Sequence, residues 1–294
     1  MRARVVNIFG RVFSWIDAIF CYLFLWIPIL LLVMYSFNAS RRVSGRWQGF
    51  TTDWYTEILE GVSGTGGDFS TDRLLASLET SFKISLASTA IAVILGTTIA
   101  LAMVRGRFRG KQIFRGLLYL PVTIPDITLA VSLIIFFQIV FGALETILGT
   151  RYFPGMVTVI VGHVAFNITY VAVVVSARLA NMSPHFEEAS KDLGMNNFET
   201  FAYVTYPLIL PGIIAGALLA FTLSLDDFVI TFFVGGGTTT TLPVYVWSLI
   251  RRGISPEINV VSTLMILASL LLIAISLLMQ GQSTRARGNT YEQS

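Results

Sequence analysis

Six stretches of this chain are each long and apolar enough to cross a bilayer, and that pattern decides the fold class. They run roughly 13–37, 81–103, 116–141, 157–180, 207–233 and 258–280. Each lies near the ~20 apolar residues that a helix needs to span the hydrocarbon. Such a helix satisfies its own backbone hydrogen bonds, so it can stand in lipid where nothing else would pair them. Charged residues make up 13% of the 294, against about 25% in a soluble domain. The expectation is an all-α membrane protein with six transmembrane helices, for which lipid is a partner over much of the surface. A formal net charge of +3 points away from nucleic acid. Cys21 is the single cysteine, so neither an intrachain disulfide nor a CxxC metal site is available. His163 and His185 are too few and too scattered for a histidine metal cluster.

Arg105, Arg107, Arg109, Lys111 and Arg115 crowd the short loop 104–115 with no acid among them. Basic short loops stay inside, so this loop reads as cytoplasmic. Six alternating spans then put both termini and residues 181–206 in the cytoplasm, and loops 38–80, 142–156 and 234–257 outside. Arg41, Arg42, Arg46, Arg251 and Arg252 fall outside in this scheme, in loops mixed with acids. The layout is therefore 1–37, N-terminal cytoplasmic segment and first transmembrane helix; 38–80, periplasmic loop; 81–280, a core of five further helices with a polar loop at 181–206; and 281–294, a polar cytoplasmic tail. The first apolar run is too long for the 7–15 residues or so of a signal-peptide core and reads as an uncleaved anchor. Gly61 to Gly67 reads as a flexible connector. Pro121 and Pro125 predict a kink in the third span. Ala92, Gly96 and Ala100, and likewise Gly212, Gly216 and Ala220, form small-residue lines that allow close helix approach.

The polar island Ser183-Pro-His-Phe-Glu-Glu-Ala-Ser-Lys-Asp-Leu-Gly194 runs on to Pro207. Ser183 suits a helix N-cap and Pro184 the first helical position. Gly194 can stop that helix in the left-handed conformation. Asn196 with Glu199 offers a capping box for a second helix. Pro207 should limit that helix, because Tyr206 before it is pushed from α geometry. Phe186, Ala189, Leu193, Phe198, Phe201 and Ala202 fall on one side of the elbow, and Glu187, Glu188, Lys191 and Asp192 on the others. A net-acidic amphipathic knob of this kind suits a groove on another protein better than a lipid surface.

Acids inside spans are the other signal, since a carboxylate at mid-bilayer costs roughly 2.5 to 3.5 kcal/mol. Asp226 lies nineteen residues beyond Pro207, about 28 Å along a helix, which puts Asp226 and Asp227 in the outer part of the membrane or at its edge. Two readings stay open for them: a cation path, or an interfacial and interhelical role. Asp126 falls near the middle of the third span, after Pro125. His163 shares a helix face with Asn167 and reads as a packing residue. Tyr170 and Trp247 offer aromatic faces to a cation, although interfacial anchoring also accounts for Trp247. An intramembrane hydrolase built on two carboxylates is the rival from another class. Adjacent helical residues point about 100° apart, so Asp226 and Asp227 cannot converge on one bond, and no Ser/His pair is evident.

The stretch Glu188-Ala189-Ser190, then Gly194, then Pro207, resembles the EAA loop of permease subunits in bacterial ABC importers, with Ser190, Val204 and Tyr206 departing from the pattern. Ser36-Phe-Asn-Ala-Ser40, Trp47 to Tyr55, Ser224-Leu-Asp-Asp-Phe-Val-Ile-Thr231, Leu242-Pro243 and Gly253-Ile-Ser-Pro-Glu-Ile-Asn259 are similar to the spermidine/putrescine branch, second permease subunit. The resemblance implies the type I importer permease fold with a cytoplasmic coupling helix, in a bacterial inner membrane. It implies a polyamine importer in which this chain forms half the pore. The partners it implies are a second permease subunit, a cytoplasmic ATPase dimer and an external polyamine-binding protein. ATP and Mg then belong to the ATPase, and no cofactor, metal or catalytic residue to this chain. Glu188, Ala189, Ser190, Gly194 and Pro207 would serve coupling, Asp126, Asp226 and Asp227 the substrate path, and Glu257 docking of the binding protein. A permease of the same class for an amino acid derivative or a metal chelate is the alternative solute reading.

Overall fold

The computed structural model describes residues 2–40, 46–61, 70–252, 257–267 and 270. The described elements are helical: α1 Arg2–Tyr35, α2 Asp53–Leu59, α3 Thr71–Val104, α4 Lys111–Thr123, α5 Asp126–Leu148, α6 Met156–Ala180, α7 His185–Asp192, α8 Asn197–Thr200, a π-turn Phe201–Thr205, α9 Tyr206–Asp226, α10 Val229–Val234 and α11 Leu242–Arg252. A further helix, α12, covers Glu257–Leu267. Among the described residues five helices are long and apolar enough to cross a membrane: Phe13–Tyr35, Thr71–Val104, Asp126–Leu148, Met156–Ala180 and Asn197–Asp226. The expected sixth span, 258–280, is described only in part as α12. The glycine connector and the tail 281–294 lie outside the described residues, Gly61 apart.

Chain contacts divide the molecule into two units, one of residues 1–72 and 246–294 and the other of 73–245. In the first, Asn38 is the hub of the segment after α1. Its amide donates to Arg46 O (3.1 Å), its side-chain oxygen accepts from Gln48 N (2.9 Å), and its carbonyl accepts from the indole of Trp54 (2.9 Å). Phe37 stacks between Phe50 and Tyr55, at centroid distances of 5.2 and 5.0 Å. The outer loop expected at 38–80 is thus partly ordered structure, and α3 starts ten residues before the span expected at 81.

The second unit is organised around α6. α9 packs antiparallel to it, with Arg178 Nε donating to Leu208 O (3.2 Å) near one end and Ser224 meeting His163 near the other. The two small-residue lines both lie on α6. A Cβ on Gly96 of α3 would stand 2.8 Å from Val171 Cβ, and one on Gly212 of α9 would stand 2.8 Å from Arg178 Cβ. Ala92, Ala100 and Ala220 are fully buried in the same cluster, with Val171, Val175 and Leu179. Helices meet this closely only where side chains are nearly absent.

Three expectations need correction. Pro125 does not kink one span; it separates α4 from α5, with Ile124 and Pro125 both extended (ψ 134° and 136°). The steric push on the residue before proline accounts for this; the Leu120 carbonyl closes the helix by accepting from both Ile124 N (3.0 Å) and Thr123 Oγ1 (3.0 Å). Pro207 does not end the second helix of the elbow; Tyr206 is α-helical, at φ −58° and ψ −50°, and donates to Phe201 O, five residues back. The π-turn absorbs the ring of Pro207 without stopping the helix. The fifth span is itself interrupted, at Asp227 and Phe228, between α9 and α10.

Gly96→Val is expected to overpack the α3–α6 contact by about 1–3 kcal/mol, visible as a lower thermal unfolding midpoint of the purified protein in detergent. The exposed Gly116→Val, with open space around it, serves as the control and should cost less.

Candidate functional site

Asp227 sits at the break between α9 and α10 in an extended conformation (φ −65°, ψ 125°). A helix that begins here leaves amides without partners, and the carboxylate takes two of them: Ile230 N donates at 3.3 Å and Thr231 N at 2.9 Å. The Thr231 hydroxyl adds a third bond at 2.9 Å. His163 Nε2 lies 3.1 Å from the same carboxylate. With Nε2 donating there, Nδ1 of the neutral ring accepts from Ser224 Oγ at 2.6 Å, and Ser224 meets Ser88 Oγ of α3 at 3.0 Å. His163 is fully buried, and Ser224 and Thr231 are 3% and 1% exposed.

This chain of contacts is a Ser–His–Asp arrangement that sequence reading did not anticipate, because Ser224 and His163 lie 61 residues apart. It cannot act as a hydrolytic triad where it stands. A nucleophilic serine must face its substrate, whereas Ser224 is enclosed and its oxygen is also held by Ser88. The arrangement instead caps α10 and ties α3, α6, α9 and α10 together at the break.

Beside the break lies a pocket of about 310 Å³ lined by Asp126, Phe166, Tyr170, Asp226, Asp227 and Phe228, among others. Asp126 enters it from the first turn of α5, where the Pro125 break has placed it, and not from mid-helix as expected. Asp226 enters from the last residue of α9. Both are exposed, and neither is engaged by another described side chain, in contrast to Asp227. Tyr170 stands edge-on to Phe166, with centroids 6.2 Å apart, about 21 Å along α6. The pocket therefore offers two free carboxylates, a phenol and aromatic faces, a set able to hold a cation with more than one positive centre. Trp247 lies in the other unit.

The elbow forms a second candidate site. Ser183 Oγ accepts from His185 N (3.4 Å). The helix ends in a Schellman pattern around Gly194 (φ 89°), with Gly194 N donating to Lys191 O (2.9 Å) and Met195 N to Ser190 O (3.1 Å). The capping box is present, Asn196 accepting from Glu199 N (3.0 Å) and Glu199 from Asn196 N (2.9 Å). Phe186, Leu193, Phe198 and Tyr203 are 56–83% exposed, apolar side chains left uncovered by the described residues. Glu188 and Ala189 are exposed beside it, and Glu188 accepts from His185 Nδ1 (2.9 Å). Ser190 is buried: it donates to Glu187 O (2.8 Å) and accepts from Thr200 (2.9 Å), so it holds α7 to α8. Pro207 lies beyond the π-turn, in the first turn of α9.

Glu187 also departs from expectation. It turns inward to Arg105, whose Nε lies 3.1 Å from its carboxylate. Glu257 was expected on an outer loop; it is the first residue of α12 and is 7% exposed.

Comparison with known proteins follows the same lines. Residues 92–287 match the family described as binding-protein-dependent transport system inner membrane component. The chain is 42% identical over 244 residues to the putrescine transport system permease protein PotI of Escherichia coli K12, covering 83% of this chain and 82% of that one. It is 35% identical over 269 residues to the spermidine/putrescine transport system permease protein PotC of the same strain, covering 92% and 93%. Among solved structures it resembles a chain of a bacterial ABC transporter involved in the import of the acidic polysaccharide alginate, with TM-score 0.71 and 16% identity over 94% of this chain and 96% of that one. At that identity the likeness shows the fold alone, that of an ABC importer permease.

Asp227→Asn and His163→Ala each leave a buried partner unsatisfied, an effect of about 1–3 kcal/mol. Both are expected to lower the thermal midpoint in detergent, whereas Asp226→Asn is expected to leave it within a degree or two of the parent.

Proposed function

Because the chain belongs to the family of binding-protein-dependent transport system inner membrane components, we propose that it is one of two permease subunits of an ATP-driven importer of polyamines, of the spermidine/putrescine type. It forms half of the pore in a bacterial inner membrane, with both termini and the elbow in the cytoplasm. A cytoplasmic ATPase dimer supplies ATP hydrolysis and its Mg, and an external binding protein delivers the solute. The names of the relatives, putrescine and spermidine/putrescine permeases, support the solute class.

The observation that carries this reading is the pairing of Asp126 with Asp226 in one pocket. An uncompensated carboxylate in a span is costly unless it lines a polar cavity or a solute path. Polyamines carry ammonium groups separated by methylene runs, which match separated carboxylates with apolar and aromatic walls between. Asp227 contributes by holding the break rather than by meeting solute. The elbow is the part that docks the ATPase, through the exposed face of Phe186, Leu193 and Phe198 with Glu188 beside it. Movement of the ATPase dimer shifts this face and alternates the access of the pocket.

Uptake of labelled putrescine and spermidine tests the reading, in a host stripped of its own polyamine importers and given this permease with its partners. Asp126→Asn and Asp226→Asn are each expected to lower uptake at least tenfold at normal expression. Unchanged uptake in both would remove the pocket from the solute path. Gly194→Pro cannot adopt the left-handed φ of the elbow. It is expected to lower substrate-stimulated ATPase activity of the complex at least fivefold, and full activity would count against docking through this elbow.

A further inference from the structure

Glu187 stands where three elements meet. Arg105, the first residue after α3, places Nε 3.2 and 3.1 Å from its two carboxylate oxygens and donates from a terminal guanidinium nitrogen to Met182 O (3.2 Å), at the start of the elbow. Thr205, at the end of the π-turn, donates its hydroxyl to the same carboxylate at 3.1 Å. Thr205 is 4% exposed, and the side chains of Arg105 and Glu187 are 25% and 18% exposed. The ion pair is thus partly shielded from solvent, and Arg105 meets the carboxylate and the elbow backbone together. Isolated surface pairs have neither feature.

α3 runs from this pair without a proline to Ser88, seventeen residues away and about 25 Å along the helix. Ser88 bonds Ser224, whose neighbour in the buried chain is His163 and, through it, Asp227 at the break. On the way, Gly96 seats α3 against Val171 and the carbonyl of Ile168. The covalent route from elbow to break is of a different kind. It crosses the π-turn and then Pro207 and Pro211, two residues that cannot donate to the helix ladder. A regular helix pinned at both ends carries displacement better than one interrupted at its base.

We propose that the Arg105–Glu187 pair is a positioning link that makes α3 move with the elbow, so that α3 transmits elbow displacement to the helix break beside the acidic pocket. This rests on the reading that the elbow docks the ATPase. Neither residue touches solute; each acts through the helix it anchors. Breaking the pair leaves the docking face in place and disconnects it from α3. ATP hydrolysis then continues while transport falls behind.

The test uses the complete complex in proteoliposomes, with ATP hydrolysed per labelled putrescine imported as the readout and size-exclusion chromatography as the check on assembly. Arg105→Gln and Glu187→Gln are each expected to raise that ratio at least fivefold. The charge swap Arg105→Glu with Glu187→Arg is expected to bring it back to within about twofold of the parent. Single variants at the parent ratio would overturn the link, and so would a swap as uncoupled as the singles. Where Arg105→Gln does not assemble, Thr205→Val, which removes one hydroxyl bond to the carboxylate, is expected to raise the ratio about twofold; no rise overturns the link. A parent complex that hydrolyses ATP but imports no polyamine counts against the solute assignment, not the link. The link is then read from the increment in ATPase activity that the binding protein causes, expected to fall at least threefold in Arg105→Gln while basal hydrolysis continues, and overturned if the increment holds.

Discussion

A helix that stops among apolar neighbours frees amides that no solvent will satisfy. In this chain one carboxylate resolves that problem, and the pocket follows from it. Asp227 accepts two backbone amides and a hydroxyl at the start of α10, and His163 holds it from α6. With the break stabilised, Asp226 is left at a helix end facing a cavity instead of buried along a continuous helix. The neighbouring acids therefore have opposite fates: one is consumed by structure and the other is free for chemistry. Ser88 and Ser224 extend the same set of bonds to α3. The break is thus held from α3, α6, α9 and α10 together, and removing His163 leaves a buried polar group facing its desolvation penalty.

Features governed by neighbours in sequence were legible in advance. The span expected at 157–180 is α6, the elbow turns at Gly194 in the left-handed conformation, and Asn196 and Glu199 close a reciprocal cap, because each depends on a few adjacent residues. The small-residue lines were legible for the same reason, since closeness needs only the absence of side chains. Breaks were harder. Pro125 was read as a kink because a proline inside an apolar run often is one, but here the chain separates fully, with Ile124 and Pro125 both extended. The break at Asp227 has no proline or glycine to announce it. Its signal is tertiary: a histidine 64 residues away that by itself reads as a packing residue. Glu187 was read as part of a solvated face for the same reason, since Arg105 lies 82 residues earlier.

The candidate site was half legible. Asp126, Asp226 and Tyr170 stood out as polar or aromatic groups in apolar spans, and the fold brings all three to one cavity. What sequence could not supply was which carboxylates were already engaged. That distinction needs the partners, and it separates Asp226 from Asp227, which the sequence treats alike. Glu257, expected on the outer loop, instead begins a helix, and its 7% exposure is set by packing that the local sequence does not announce.

The π-turn at 201–205 looks like a local adjustment to Pro207, yet it fixes a direction. One helical residue turns the chain by about 100°, and a π-turn holds one residue more than α geometry would. That extra residue sets the azimuth of the elbow about the axis of α9. A chain shortened by one residue there could restore a regular helix and keep every other contact type. Its apolar knob would then point about a quarter-turn away from its present direction. If the elbow docks an ATPase as proposed, the fit between the two is recorded in the length of the segment as well as in the identity of its residues.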